Sequence, residues 1–313
     1  MNVTRYFFLV CLGILSLAQA QEIQLDFQEE GVLLTEGNDN ILFYQSAEKA
    51  LNGTYARANY VHPLYGLDGT VLTEDFPEDH LHHRGIFWAW HQLYVGDARI
   101  GDGWEIKDFS WEVKEVNAIE SPGGGKGIRS RVHWESPLLL NRYGKKMPLV
   151  EETTEIIAYP AKDDFRAIDI SISLLALHSN MRLGGSEDEK GYGGFSYRVR
   201  LPEDIKFSGV NGPVTPETLP VWSNGWLDAT GSLGKDGNTA GLAILSHPQN
   251  PGYPNPWILR ASASMQNAVY PHPGAVPVPL SEENPTVLRY RMVVHTGLTG
   301  EKIDALYKEY PNK

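Results

Sequence analysis

Cysteine is almost missing from this chain of 313 residues. Its one copy, Cys11, lies inside an apolar leader-like stretch, which leaves no disulfide and no thiol chemistry beyond that point. Long hydrophobic runs are missing too. The only one, residues 7–17, is too short to span a bilayer. Positive charge is scarce: 27 Lys and Arg stand against 39 Asp and Glu, a net charge of −12. That balance argues against nonspecific nucleic-acid binding, which relies on basic patches. It leaves room for an anionic ligand, because a local cationic cleft overrides the global sign at short range. Two motifs are also absent. No Gly-x-Ser-x-Gly element marks a serine hydrolase, and no Gly-rich loop leads into a helix or carries a Walker lysine.

The first twenty residues read as a signal peptide. Arg5 supplies the positive start, residues 7–17 the apolar segment, and Ala18-Gln19-Ala20 a small-x-small cleavage signal. Val10 before Cys11 does not fit a lipoprotein site. The expected mature protein is a periplasmic or secreted domain over residues 21–313, cut near Ala20 and without a membrane span.

What is present is overwhelmingly β. Ile128, Ser130, Val132 and Trp134 alternate with Arg129, Arg131, His133 and Glu135. Ile168, Ile170, Ile172 and Leu174 line one face against Asp169, Ser171 and Ser173, and Leu288, Tyr290, Met292 and Val294 repeat the pattern. Period two means strands with one buried face. Further strands are expected at 22–27, 32–35, 41–44, 85–95, 111–118, 150–159, 195–201, 205–210 and 241–246. One helix is expected, at 300–310, where Ile303, Leu306, Tyr307 and Tyr310 share a face. No linker and no repeat divides the chain. The expectation is all-β: a single large antiparallel β-sandwich, supersandwich-like, with one short C-terminal helix.

The chemistry concentrates in Asp79-His-Leu-His-His-Arg-Gly-Ile-Phe-Trp-Ala-Trp-His91, where four of the ten histidines fall within twelve positions. Histidine titrates near neutral pH, so the cluster can move protons, hold a metal or grip an anion. In an extended segment His80 and His82 would point one way and His83 the other. A divalent metal at His80 and His82, with Asp79, Asp75 or His62 as third ligand, is the alternative reading. The favoured one has no metal, since such spacing arises easily by chance. Single histidines often only satisfy structural hydrogen bonds. Four of them beside Arg84 would be a costly polar set to satisfy without a ligand.

Tryptophans add to the case. Trp88 and Trp90 share a face after the cluster, and Trp104, Trp222, Trp226 and Trp257 sit in polar loops. Half or more of the eight are expected simply to pack. Those in loops combine an apolar ring with a wet edge, which suits stacking on sugars. Glu187-Asp-Glu-Lys-Gly-Tyr-Gly-Gly surrounds Tyr192 with glycines and leads to Arg198; a plain charged hairpin is the competing reading. His272 lies stiffly between two prolines in a long irregular stretch.

Tyr60-Val-His-Pro-Leu-Tyr-Gly-Leu-Asp-Gly, the Asp79–His91 block and Gly191-Tyr-Gly-Gly-Phe resemble the PmoA-like family of exported bacterial proteins. The family name refers to a methane monooxygenase subunit, a membrane protein, so no oxygenase activity is taken from it. The resemblance implies company with carbohydrate-degrading systems. A weaker likeness links His83-Arg84-Gly85 to a sugar-pocket block of aldose-epimerase-type β-sandwiches.

Hydrolysis, elimination, epimerisation and noncatalytic sugar binding are the classes that remain. Hydrolysis needs two facing carboxylates, and no pair announces itself among Glu78, Asp79, Glu187, Asp188 and Glu282. Elimination from a uronic acid needs a cation on the carboxylate, a base for the proton beside it and an acid for the leaving oxygen. The expected catalytic set is His80, His82, His83, Arg84, Tyr192 and His272. The expected substrate-binding set is His62, Trp88, Trp90, Arg198, Trp226 and Trp257. The partner is an oligosaccharide, with uronate-containing chains favoured. His83 is the expected base, and Arg84 or Arg198 the expected cation.

Overall fold

The computed structural model describes residues 22–310. The signal segment expected at residues 1–20 lies outside them. Two antiparallel sheets face each other. The first has eight strands in the order Ile23–Phe27, Gly31–Glu36, Asp39–Gln45, Tyr60–Leu64, Ile86–Trp90, Gly193–Tyr197, Gln266–Val269 and Trp257–Ile258. The second has nine: Ser110–Ser121, Gly125–Leu140, Lys146–Ala158, Phe165–Ala176, Thr286–His295, Ala240–Ser246, Trp226–Gly231, Lys206–Gly209 and Gly212–Val214. A four-stranded sheet, holding Met181–Gly184 and Gln92–Val95 at its centre, flanks the pair.

The alternating pattern dictates the faces. Ile128, Val132, Trp134, Ile168, Ile170, Ile172, Leu288, Tyr290 and Met292 are all buried in one large core between the two sheets. Each such side chain contributes about 1.5–3 kcal/mol by leaving water. On the opposite face the register sets Asp169 beside Arg291, and the two form a bidentate pair at 2.6 and 2.8 Å.

One carboxylate is buried within the core. Glu152 accepts hydrogen bonds from Asn59, Trp88 and Thr154 on one oxygen, at 2.7, 2.9 and 2.6 Å, and from Trp134 at 2.8 Å on the other. Burial raises its pKa, while these donors pull the other way. Trp88 comes from the first sheet and Trp134 from the second, so the contact ties the layers together.

The helix forms at Gly300–Glu309, capped by the Thr299 side chain. Its Ile303 packs with Trp226, Leu245 and Val293. The strand expected at 85–95 is instead two. Ile86–Trp90 belongs to the first sheet and Gln92–Val95 to the four-stranded one, with His91 at the break. Gly85 allows the first of these to begin: its φ is +46°, and a Cβ there would lie 2.0 Å from the Val61 carbonyl oxygen.

Candidate active site: a histidine pile and a tyrosine

Alternation along Ile86–Trp90 sends Trp88 and Trp90 into the core and turns Phe87 and Ala89 to the outer face of the first sheet. There they pack with Tyr60, Trp104 and Met265, and Tyr192 leans on the group. The chain before this strand is a series of turns, not an extended segment. The His80 amide bonds to the Pro77 carbonyl at 3.0 Å and the His83 amide to the His80 carbonyl at 2.9 Å. The turns collect the three imidazoles that an extended chain would divide. His80 and His83 stack at 4.6 Å and 5° between planes, and His82 stands edge-on to His83 at 4.5 Å and 79°.

Arg198 anchors the pile. It grips Asp79 with two nitrogens at 2.9 and 2.7 Å, donates from Nε to Glu74 at 2.7 Å, and has Nη1 3.5 Å from His83 Nδ1. Asp79 also accepts from His80 Nδ1 at 2.8 Å. Burial alone would raise the Asp79 carboxyl, but the hydrogen bonds from Arg198 and His80 win and hold it well below the usual carboxylate range. Burial pushes His83 down to about 2, helped by the neighbouring His82, His80 and Arg198. His82 falls to about 4 through burial and the nearby His80, His91 and Arg57. At neutral pH both rings are uncharged and have a nitrogen lone pair to offer.

Beyond the pile, Trp104 lies 6.3 Å from His83 and 5.3 Å from His91, measured between ring centroids. Asp102 orients this corner, accepting from His91 at 2.9 Å, from Arg99 at 3.3 Å and from the Trp104 and Glu105 amides. Glu105 reaches within 3.7 Å of His82 and is half exposed. Tyr192 also packs on Trp104, 5.6 Å away, its hydroxyl accepting from Arg260 Nη2 at 2.7 Å. Gly191, at φ +67°, lets this loop press against Gly274, whose Cα lies 2.8 Å from where a Cβ would be. Gln92 ties the same two loops by donating to the carbonyls of Gly185, Gly274 and Ala275.

Several expected site residues do other work. Arg84 is fully buried and its donors are engaged: Nε on Asp75 at 2.5 Å, Nη1 on the Tyr55 and Lys49 carbonyls, Nη2 on the Tyr60 hydroxyl at 2.5 Å. It cannot meet a substrate. Arg198 is equally committed to Asp79 and Glu74. His83 is 2% exposed, a wall of the site where a base would need access. Trp88, Trp90, Trp226 and Trp257 are at most 2% exposed and offer no ring face to a ligand. Trp90 spends its N–H on the Tyr270 carbonyl, and Trp226 sits on the second sheet under the helix. His62 lies beside Thr73 at 2.9 Å, and burial lowers it to about 4. His272 is exposed and meets Trp222, not the pile, at 5.5 Å.

The residues named as third metal ligands have protein partners. Asp75 is held by Arg84 and Lys49, Asp79 by Arg198, and His62 by Thr73. Among the described residues no group of three or more His, Cys, Asp or Glu is arranged to hold an ion. None of their helices is long and apolar enough to cross a membrane. A separate cleft of about 530 Å³ on the outer face of the second sheet, lined by Tyr159, Phe165, Arg291 and Leu306, contains no histidine.

Sequence reading missed Arg260, whose surroundings carry no local pattern. It named Trp104 and Trp222 only among several loop tryptophans.

The chain belongs to the family of unknown function DUF6807, which matches residues 31–308. The match does not itself show the PmoA-like resemblance. None of the curated proteins compared with it matches. Among solved structures it is similar to a candidate mutarotase (YeaD) from Salmonella typhimurium, at 12% identity and a TM-score of 0.36, over 88% of this chain and 94% of that one. It is also similar to a GH36 alpha-galactosidase from Geobacillus stearothermophilus, at 10% identity and a TM-score of 0.34. That match covers 89% of this chain and 40% of the galactosidase.

Proposed function

We propose that this protein is an exported carbohydrate-active enzyme, a carbon–oxygen lyase that eliminates water or an alcohol from a uronic-acid residue of an oligosaccharide. One observation carries the reading: a neutral imidazole and Tyr192 both pack on Trp104, while three of the carboxylates around them are already spent and Glu105, among the described residues, has no basic partner beyond His82. Asp79 and Asp102 are consumed by Arg198, His80, His91 and Arg99, and Glu187 pairs with Arg99. Two free, facing carboxylates are what hydrolysis would need.

His82 is better placed than His83 to act as base, since its side chain is 12% exposed where His83 is walled in. It takes the C5 proton, and the C–H electron pair becomes the C4–C5 double bond. The C4–oxygen bond breaks, and Tyr192 delivers its proton to the departing oxygen. A substrate carboxylate beside His82 would raise its depressed pKa toward the working range, because an opposite charge favours the protonated ring. The reaction needs no metal in this scheme.

A second reading rests on the 3.7 Å approach of Glu105 to His82. A carboxylate and an imidazole can exchange protons with a sugar's hydroxyl and ring oxygen, which is epimerase chemistry.

The test is to incubate the mature protein with uronate oligosaccharides and follow ultraviolet absorbance and product mass. Elimination creates a conjugated, absorbing 4,5-unsaturated product, and loss of water lightens the substrate. New reducing ends without absorbance would mean hydrolysis. Exchange at the anomeric centre with neither signal would mean epimerisation. An unchanged but bound sugar would mean a binding protein. Recovery from cell fractions checks export.

A further inference from the structure

Elimination from a uronate needs a cation for the carboxylate, and both arginines expected for that task are neutralised by Asp75, Asp79 and Glu74. Arg260 is different. It is half-buried beside Tyr192, and its terminal nitrogens donate to the Tyr192 hydroxyl and to the carbonyls of Glu217, Leu259 and Thr218. Those contacts fix the guanidinium plane but bring no opposite charge. Among the described residues no carboxylate pairs with Arg260, and its Nε has no protein partner. Lys190 lines the same cleft, of about 610 Å³, and its nearest carboxylate, Asp188, is 3.8 Å away and half exposed. Arg260 and Lys190 thus bring two cations to a cleft that also holds one acidic residue, Glu217, an excess of positive charge in a chain of net charge −12.

The cleft continues. Glu217 also lines a neighbouring hollow of about 300 Å³, whose wall includes Trp222. Seven of the eight tryptophans are buried, but Trp222 is 52% exposed, with His272 edge-on at 5.5 Å. An exposed indole in a polar groove offers an apolar face to a sugar ring. A fixed guanidinium offers a charge-assisted bond to a carboxylate.

We infer that the groove running from Tyr192 past Arg260 and Lys190 to Trp222 is a binding subsite for the carboxylate-bearing units of an acidic oligosaccharide. The inference rests on the sugar-processing reading above and adds where the negative charge is held. Arg260 acts as the specificity-determining cation, and Trp222 as the stacking platform for the next unit.

Calorimetry tests it with trimers of galacturonate, mannuronate and guluronate, each against its methyl ester, which keeps the shape and removes the charge. At least one free acid should bind more tightly than its ester, with the preference shrinking as salt rises. Arg260→Gln and Lys190→Met should each cut that preference about tenfold, the worth of one charge-assisted contact. Trp222→Ala, a surface change that spares the fold, should weaken acid and ester alike. Equal binding of acid and ester, binding of none of the three acids, or a preference that survives both Arg260→Gln and Lys190→Met would overturn the inference. The two readings separate cleanly. An Arg260-dependent preference without unsaturated product removes the lyase and keeps the subsite. Unsaturated product with an Arg260- and Lys190-independent preference does the reverse.

Discussion

The imidazoles of His80 and His83 lie parallel, 4.6 Å apart at 5° between planes, and His82 meets His83 edge-on. This crowding adds to burial in keeping His82 and His83 uncharged. The guanidinium of Arg198 beside His83 adds to the pressure toward neutrality, and Asp79, bound to both Arg198 and His80, holds the turn in place.

Stability should therefore fall in mild acid. His83 is lowered to about 2 and His62 and His82 to about 4, against about 6.5 for an unfolded histidine. Below pH 6.5 the unfolded chain takes up protons that the folded chain refuses. The contribution is thus complete above about pH 6.5 and is lost as pH falls toward 4, by about 1.4 kcal/mol per unit for each ring. Urea midpoints measured from pH 7 to pH 4 should show this slope, and His82→Gln should flatten it. A midpoint that holds steady across the range would contradict the buried neutral pile.

Asp75→Asn should destabilise the fold. It leaves the Arg84 guanidinium buried without its carboxylate, a change that costs about 3–5 kcal/mol in a buried pair. Because Arg84 touches no substrate in this arrangement, the loss should appear in denaturant unfolding. The folded fraction should keep its activity.

Tyr192→Phe removes only the hydroxyl that Arg260 holds. If Tyr192 protonates the leaving group, kcat for the unsaturated product should drop by about 10²–10⁴-fold with little change in melting. A phenylalanine variant with near-native kcat would strip Tyr192 of that role.

His82 and His83 should part company. His82→Gln should lower kcat by about 10²–10⁴-fold, whereas His83→Ala should chiefly lower stability, since a ring 2% exposed works by packing. Full activity in His82→Gln would return the base to another ring of the pile. Extensive chelation should leave the wild-type rate intact, and loss of activity reversed by a divalent ion would restore the metal reading at His80 and His82.

The sequence made the strands legible because alternation is local. Ile168–Leu174 and Leu288–Val294 show their buried faces in the order of the residues alone, and the helix shows its own in Ile303 and Leu306. The histidine block was legible for a similar reason, since four titratable rings in twelve positions are visible without a fold. What each ring does was not legible. An extended reading put His83 opposite His80, but the hydrogen bonds from His80 to Pro77 and from His83 to His80 curl the chain and stack them.

By itself, then, the sequence determined an all-β sandwich with a C-terminal helix and a polar, histidine-rich face, because periodicity and composition act within a few residues. Only the tertiary structure decided which charges are spent and which remain. Arg84 meets Asp75 nine positions away, but Arg198 meets Asp79 across 119, and Arg260 meets Tyr192 across 68. Whether a cation is neutralised depends on what the fold carries to it. Such long-range pairings leave no trace in spacing along the chain, so the arginine left uncompensated beside Tyr192 emerged only from the packed sheets and loops.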